Sequence, residues 1–245
     1  MNAGILERAG VRELIERALM EDIGSGDASS LSVLAPEDRF HGRLASRAPA
    51  VVAGLDIARA VFSMVDPAIE VAMHRSDGET VEPGDLVLEV DGPARGILTA
   101  ERTALNFLQR MSGIATDTRH YVDQIEGLPA VILDTRKTTP TLRVLEKFAV
   151  VCGGGQNHRM GLYDRIMLKD NHLAQWRRHH GGDLADMVRS ARDAFPDLDV
   201  EVEVDTVEDC RRVVESMPEW ILLDNMTCED MRTCVGLVGG RSELE

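Results

Sequence analysis

The sequence predicts an α/β protein in two parts, a mixed α+β layer domain over residues 1–114 followed by a parallel, helix-crossed sheet over residues 115–245. Three observations predict it. Up to about residue 115 helical and strand patterns mix without strict alternation. Beyond it, short apolar strands are repeatedly crossed by helical patterns, the mark of a parallel sheet, either a barrel or doubly wound. Polar residues then follow or close each of those strands, and in a (β/α) barrel the C-terminal strand ends are where catalytic residues collect.

In chain order, Val11, Leu14, Ile15, Ala18 and Leu19 keep the i, i+3, i+4 spacing of an amphipathic helix, broken by Gly24, Gly26 and Asp27. Residues 40–52 read as strand, and 56–65 as helix through Ile57, Ala60, Val61 and Met64. Short strands follow at 69–73 and 86–90, the second behind the Pro83-Gly84-Asp85 turn. A longer helix is predicted over 99–111. Strands are then expected at 131–133, 165–168, 200–204 and 220–223, and helices at 142–151, 184–195, 207–216 and 228–238. A further strand should begin near Arg241, and the sequence stops at Glu245. Four strands cannot close a barrel, so either the sheet is open or the chain lacks a C-terminal portion; the second is the favoured expectation.

Composition excludes several function classes. A net charge of −15 opposes a nucleic-acid or acidic-membrane partner, because such a surface repels polyanions. No apolar run approaches the roughly 20 residues that span a bilayer. Residues 1–22 carry charges throughout and do not read as a signal peptide. Cys152, Cys210, Cys228 and Cys234 have no CxxC or zinc-type spacing, so reduced thiols and a cytoplasmic location are expected.

Of 27 basic residues only three are lysine: Lys137, Lys147 and Lys169. Lys147, on a predicted helix, reads as a solvated surface residue. Lys137 and Lys169 close strands beside Thr135, Arg136 and His172, and His158 and Arg159 follow the Gly153–Gly155 run. Several cations gathered in an acidic chain suit a ligand with more than one negative charge. Opposite them in kind, Glu203 and Asp224 sit at consecutive strand ends, where they could bind Mg²⁺ or ribose hydroxyls, stabilise a cation at a sugar carbon, or act as a base. Glu201 shares a face with Glu203 and Asp205 and is expected to support Glu203 or lie deeper, paired to a base. The three glycines fit no phosphate-loop pattern and read as a flexible turn presenting His158 and Arg159. His179 and His180 fall in a polar loop with no expected metal.

Several of these stretches together resemble the quinolinate phosphoribosyltransferase (nicotinate-nucleotide pyrophosphorylase) family. The resemblance runs through residues 21–27, Glu101-Arg-Thr-Ala-Leu-Asn106, 112–116, Asp134-Thr-Arg-Lys-Thr138 with Pro140, Gly153–Gly155 with Asn157-His-Arg159, Lys169-Asp-Asn-His172, 201–204 and 223–225. It implies an N-terminal α/β sandwich followed by an open, incomplete α/β barrel, with the last barrel strands missing from this chain. It implies transfer of the phosphoribosyl group of phosphoribosyl pyrophosphate to the ring nitrogen of quinolinate with loss of CO₂, giving nicotinate mononucleotide and pyrophosphate for NAD synthesis, with Mg²⁺ as cofactor. By the matching motifs, Thr135, Arg136, His158 and Arg159 would bind quinolinate. Lys137 and Lys169 would face substrate and phosphate charge, Lys137 in a catalytic role. Glu203 and Asp224 would lie near the ribose, the metal and the cation-like sugar centre. Arg102 would complete the site of a partner subunit, making a homodimer the working unit.

Two mild departures stand in these motifs: Thr141 where the family commonly has Gly, and Ser29 in place of Thr. A form ending at Glu245 is expected to bind phosphoribosyl pyrophosphate poorly, because the family's later glycine-rich loops lie beyond it. A Schiff-base aldolase using Lys137 or Lys169, and a binding paralogue without turnover, are the competing readings.

Overall fold

Val11, Ile15 and Leu19 are buried on one face of α1 (Val11–Ile23), the row their spacing predicts. The computed structural model describes residues 4–245. Gly24 ends α1, and Asp27 caps the short α2 (Ala28–Val33), its Oδ1 accepting the Ser30 N–H at 3.0 Å. The strand expected over 40–52 divides into β1 (Arg39–Ala45) and β2 (Ala50–Val51). α3 (Leu55–Val65) follows, then β3 (Glu70–Met73), β4 (Thr80–Val81), β5 (Leu86–Pro93) and α4 (Ala94–Gln124). The strands form an antiparallel sheet in the order β1-β5-β3 and a small antiparallel β2-β4 pair.

α4 runs 31 residues, far beyond the expected 99–111. Gly113 lies inside it without breaking it, because Met111, Ala115 and Thr118 continue its buried face. Position 114/115 therefore falls within a helix, and by compactness the chain divides between His158 and Arg159. In the first unit, α5 (Arg143–Cys152) completes the core with Leu145 and Ala149. The glycine run after it is not the flexible turn expected. A Cβ on Gly153 would lie 2.5 Å from the Ala115 carbonyl oxygen, and one on Gly155 2.8 Å from Val150 Cγ1. These glycines let the chain pass close to α4. The strand expected at 131–133 reduces to a single parallel bridge between Leu133 and Gln156; Val131 is half exposed and no ladder extends to it.

The second unit is β6 (Ile166–Leu168), α6 (Asp170–His180), α7 (Leu184–Ala194), β7 (Val200–Val204), α8 (Val207–Val214), β8 (Trp220–Leu223), α9 (Cys228–Val238) and β9 (Glu243–Leu244). Its strands are parallel in the order β6-β7-β8-β9, so the strand expected near Arg241 is present. Among the described residues these strands form an open sheet, not a closed barrel. Asp183, Thr206 and Thr227 cap α7, α8 and α9 through their side chains. Val188, Val200, Cys210, Val213, Ile221 and Cys234 form the solvent-free centre of its core. α6 replaces the loop expected around His179 and His180. It buries no residue fully, ends at Gly181 with φ 66°, and stacks His180 on Trp176 at 4.2 Å.

Among the described residues no helix is long and apolar enough to cross a membrane.

Candidate active site

In the first unit the segment from Asp134 to Thr139 is a tight loop held from beneath by α5. Thr135 Oγ1 accepts the Lys137 N–H at 3.0 Å, the local turn chemistry of a hydroxyl side chain. Arg143 Nε donates to Thr138 Oγ1 at 3.0 Å, and Arg143 also reaches the Arg136 carbonyl at 3.4 Å. Glu146 Oε2 accepts the Thr139 N–H at 3.1 Å and pairs with Arg110 of α4. Burial works against the ionised Glu146, but the Arg110 and Thr139 hydrogen bonds outweigh it and hold its carboxyl below the usual range. Arg136 and Lys137 make no ion pair among the described residues, and the buried Arg136 Nε has no hydrogen-bond partner there.

Lys147 is not a solvated residue. It is 1% exposed, and its ammonium pairs with the Asp134 carboxylate while donating to the His158 carbonyl at 3.0 Å. The same Asp134 oxygen accepts the His158 N–H at 2.9 Å. The helical period turns Lys147 about 200° away from Leu145, onto the side of α5 that faces Asp134 and His158, and a carboxylate waiting there makes an ammonium acceptable. So Thr135, Arg136, Lys137 and His158 belong to one local framework. Arg102 does not join it. It is exposed on α4 and lines a cleft of about 860 Å³ with Phe40, Leu44, Ala48 and Leu105.

In the second unit, Arg159 reaches the Arg165 carbonyl at 3.4 Å and Met167 Sδ at 3.0 Å. Lys169 follows β6 directly. Its N–H donates to His172 Nδ1 at 3.0 Å, and its ammonium pairs with Glu203 near the end of β7. The β7–β8 register sets Glu203 beside Leu222, and the Asp224 N–H continues the ladder to the Val204 carbonyl at 2.9 Å. Asn225, with φ 53°, turns the chain there and donates to Asp224 Oδ2 at 2.8 Å. Lys169, Glu203 and Asp224 thus line one cavity of about 250 Å³, together with Asp170, Arg177, Asp205 and Asp209. Glu201 lies deeper, fully buried, 3.4 Å from the Arg165 guanidinium, as its place on the strand face implied. Burial raises its carboxyl above the usual range against the pull of Arg165.

The residues sequence reasoning missed are Lys147, Asp134 as its counter-ion, and Arg177. No local spacing marked 147, because it lies on the opposite side of α5 from Leu145 and Ala149 and is buried only by its contact with Asp134. Arg177 was hidden by reading α6 as a loop. Glu203 and Asp224 offer the hard oxygen ligands that suit Mg²⁺, but no third carboxylate converges on them among the described residues and Glu203 is shared with an ammonium, so they fit only an ion that keeps waters and substrate oxygens in its shell.

Family models describe both parts of the chain: quinolinate phosphoribosyl transferase, N-terminal domain, matches residues 27–112, and the corresponding C-terminal domain matches residues 114–244. The probable nicotinate-nucleotide pyrophosphorylase (carboxylating) of Bacillus subtilis is 38% identical over 223 residues, covering 91% of this chain and 75% of that protein. The nicotinate-nucleotide pyrophosphorylase (carboxylating) of Mycobacterium leprae is 43% identical over 217 residues, 87% of this chain and 75% of its own length. The crystal structure of NadC from Streptococcus pyogenes matches with a TM-score of 0.92 at 36% identity, covering 100% of this chain and 84% of that one.

Proposed function

Since the chain belongs to the quinolinate phosphoribosyl transferase family, we propose that it transfers the phosphoribosyl group of phosphoribosyl pyrophosphate to the ring nitrogen of quinolinate. Loss of CO₂ then gives nicotinate mononucleotide, with pyrophosphate as the second product, in NAD biosynthesis. The observation that carries this reading is the arrangement of Lys169, Glu203 and Asp224 at three successive strand ends around one cavity. A cation for phosphate oxygens and carboxylates for a sugar centre that becomes cation-like are the two needs of phosphoribosyl transfer.

In the first unit, Arg136, Lys137 and His158 meet the quinolinate carboxylates, with Thr135 shaping their loop. Arg136 offers a planar fork and Lys137 a point charge, and both are uncommitted to any acid among the described residues. Lys137, touching substrate, serves as a catalytic cation. In the second unit, Arg159 and Lys169 take further negative charge, and Glu203 and Asp224 face the ribose. Glu203 and Asp224 would hold Mg²⁺, which would supply charge neutralisation of the leaving group. Arg102 reaches the site of a second copy, so a homodimer is the working form, active in the cytoplasm.

A turnover assay with quinolinate, phosphoribosyl pyrophosphate and Mg²⁺ tests the reading. Nicotinate mononucleotide, pyrophosphate and CO₂ should appear in equal amounts, and the ion should be required. Release of no CO₂ from carboxyl-labelled quinolinate would overturn it. A mixture of Arg102→Ala and Lys137→Ala copies should regain activity that neither has alone, if a shared site is formed.

A further inference from the structure

We propose that Lys147 is a positioning residue for the quinolinate subsite, acting by neutralising Asp134 so that Arg136 and Lys137 remain available to the substrate's carboxylates. This inference rests on the functional reading above and names what keeps that subsite in working order.

The charge arrangement around Asp134 carries the argument. Its side chain is only 6% exposed, and that of Lys147 is fully buried. The Lys147 ammonium pairs with Asp134 Oδ1 and donates to the His158 carbonyl at 3.0 Å, while the same oxygen accepts the His158 N–H at 2.9 Å. The Asn157 carboxamide nitrogen, oriented to satisfy its neighbours, lies 2.6 Å from Asp134 Oδ2 and 2.9 Å from the Lys147 carbonyl. Backbone pairing of these two segments is brief: Asp134 N–H to the Gln156 carbonyl at 3.1 Å and Gln156 N–H to the Ile132 carbonyl at 2.8 Å. The ion pair extends the clasp past the point where the ladder stops.

A packing role alone does not explain an ammonium here. Its partners are a carboxylate and a carbonyl, and a buried ion pair is often no more stabilising than apolar residues of the same volume. Its effect is on the charges nearby. Arg136 and Lys137 stand two and three residues beyond Asp134 and have no acid partner among the described residues of a chain with net charge −15. With Lys147 gone, the nearly dry Asp134 carboxylate would be the nearest uncompensated anion, competing with quinolinate for those cations.

The test compares Lys147→Met with the double variant Asp134→Asn/Lys147→Met, which carries neither charge. Quinolinate binding is followed by titration calorimetry and near-UV circular dichroism checks the fold. Lys147→Met should weaken quinolinate about tenfold or more, the scale of losing a charge-assisted contact, and raise its KM far more than that of phosphoribosyl pyrophosphate. The double variant should recover most of the binding, since its uncharged carboxamide still accepts the His158 N–H but attracts no cation. Should Lys147→Met not fold, Lys147→Gln, uncharged yet able to donate to the His158 carbonyl, takes its place with the same expectation. A folded single variant that binds quinolinate like the wild type overturns the proposal, as does a double variant as weak as the single. Wild-type protein that neither binds nor turns over quinolinate would instead refute the functional reading. In that case, hydrogen exchange at His158 in Lys147→Met still decides the clasp: faster exchange supports it and unchanged exchange overturns it.

Discussion

Lys169 closes β6 and Glu203 stands one residue short of the end of β7, and their side chains meet in an ion pair across the two parallel strands. Their side chains are 40% and 19% exposed, so the pair is accessible to substrate and is a weak stabiliser.

Activity and stability should therefore separate at this pair. Glu203→Gln is expected to lower kcat/KM by about 100-fold or more, as removal of a transition-state contact does. Its melting temperature should stay within about 3 °C of wild type, since such a pair contributes about 1 kcal/mol at most. Steady-state kinetics beside a thermal melt checks this. A large fall in melting temperature with unchanged kcat/KM would make Glu203 structural.

Thr141 is exposed with φ 70°, a left-handed conformation that a β-branched residue adopts at a cost. Thr141→Gly should stabilise the protein by up to about 1 kcal/mol, the left-handed cost less the extra chain entropy of glycine. Urea unfolding reads the difference, and a destabilised variant would show that the Thr141 side chain makes a contact worth more than the strain.

Asp77 Oδ1 accepts the N–H groups of Gly54 and Leu55 at the start of α3, 2.9 and 3.0 Å away. Burial nonetheless raises its carboxyl above the ordinary value of 3.8. The folded state therefore holds this proton at pH values where the unfolded chain has released it. The stabilising contribution is full below 3.8 and is lost as the pH rises through the higher folded value. Asp77→Asn keeps an acceptor without the charge, so its stability should fall less than that of wild type between about pH 4 and about pH 7. Parallel urea titrations at several pH values in that range measure the slopes, and identical slopes would contradict the assignment.

The cysteines should differ sharply in reactivity. Burial pushes the thiols of Cys152 and Cys210 up to about 12, Cys210 also facing Cys234, whereas Cys228 is exposed. Iodoacetamide at mildly alkaline pH should label Cys228 alone in the native protein and all four after unfolding, as peptide mass spectrometry would show. Rapid native labelling of Cys210 would be inconsistent with its packing.

What could be read from the sequence follows physical range. β7 and its acids were legible because alternation in Glu201-Val-Glu-Val204 is local, and the register with β8 only had to repeat it. α9 and α7 were legible from helical spacing of their apolar residues, again within a few residues. Lys147 was misread because its environment is set by Asp134, thirteen residues earlier and brought near by folding. Residues 131–133 looked like a strand by composition, but a strand exists only where a neighbour pairs with it, and only Leu133 has one. α6 was missed because its surface is almost wholly polar, leaving the stack of Trp176 and His180 and the Gly181 terminus as its organising features.

α4 carries Arg102 toward the cleft of the first unit and Arg110 to Glu146 beneath the Thr139 turn. They are eight helical steps apart, about 12 Å along one rigid axis. One inserted residue between them would swing either arginine by about 100° relative to the other, so this stretch has a fixed phase as well as a fixed length. Length variation in homologous chains should be absent between these two arginines. It should collect instead in the turn at 125–130, where an added residue changes the angle of no side chain on α4.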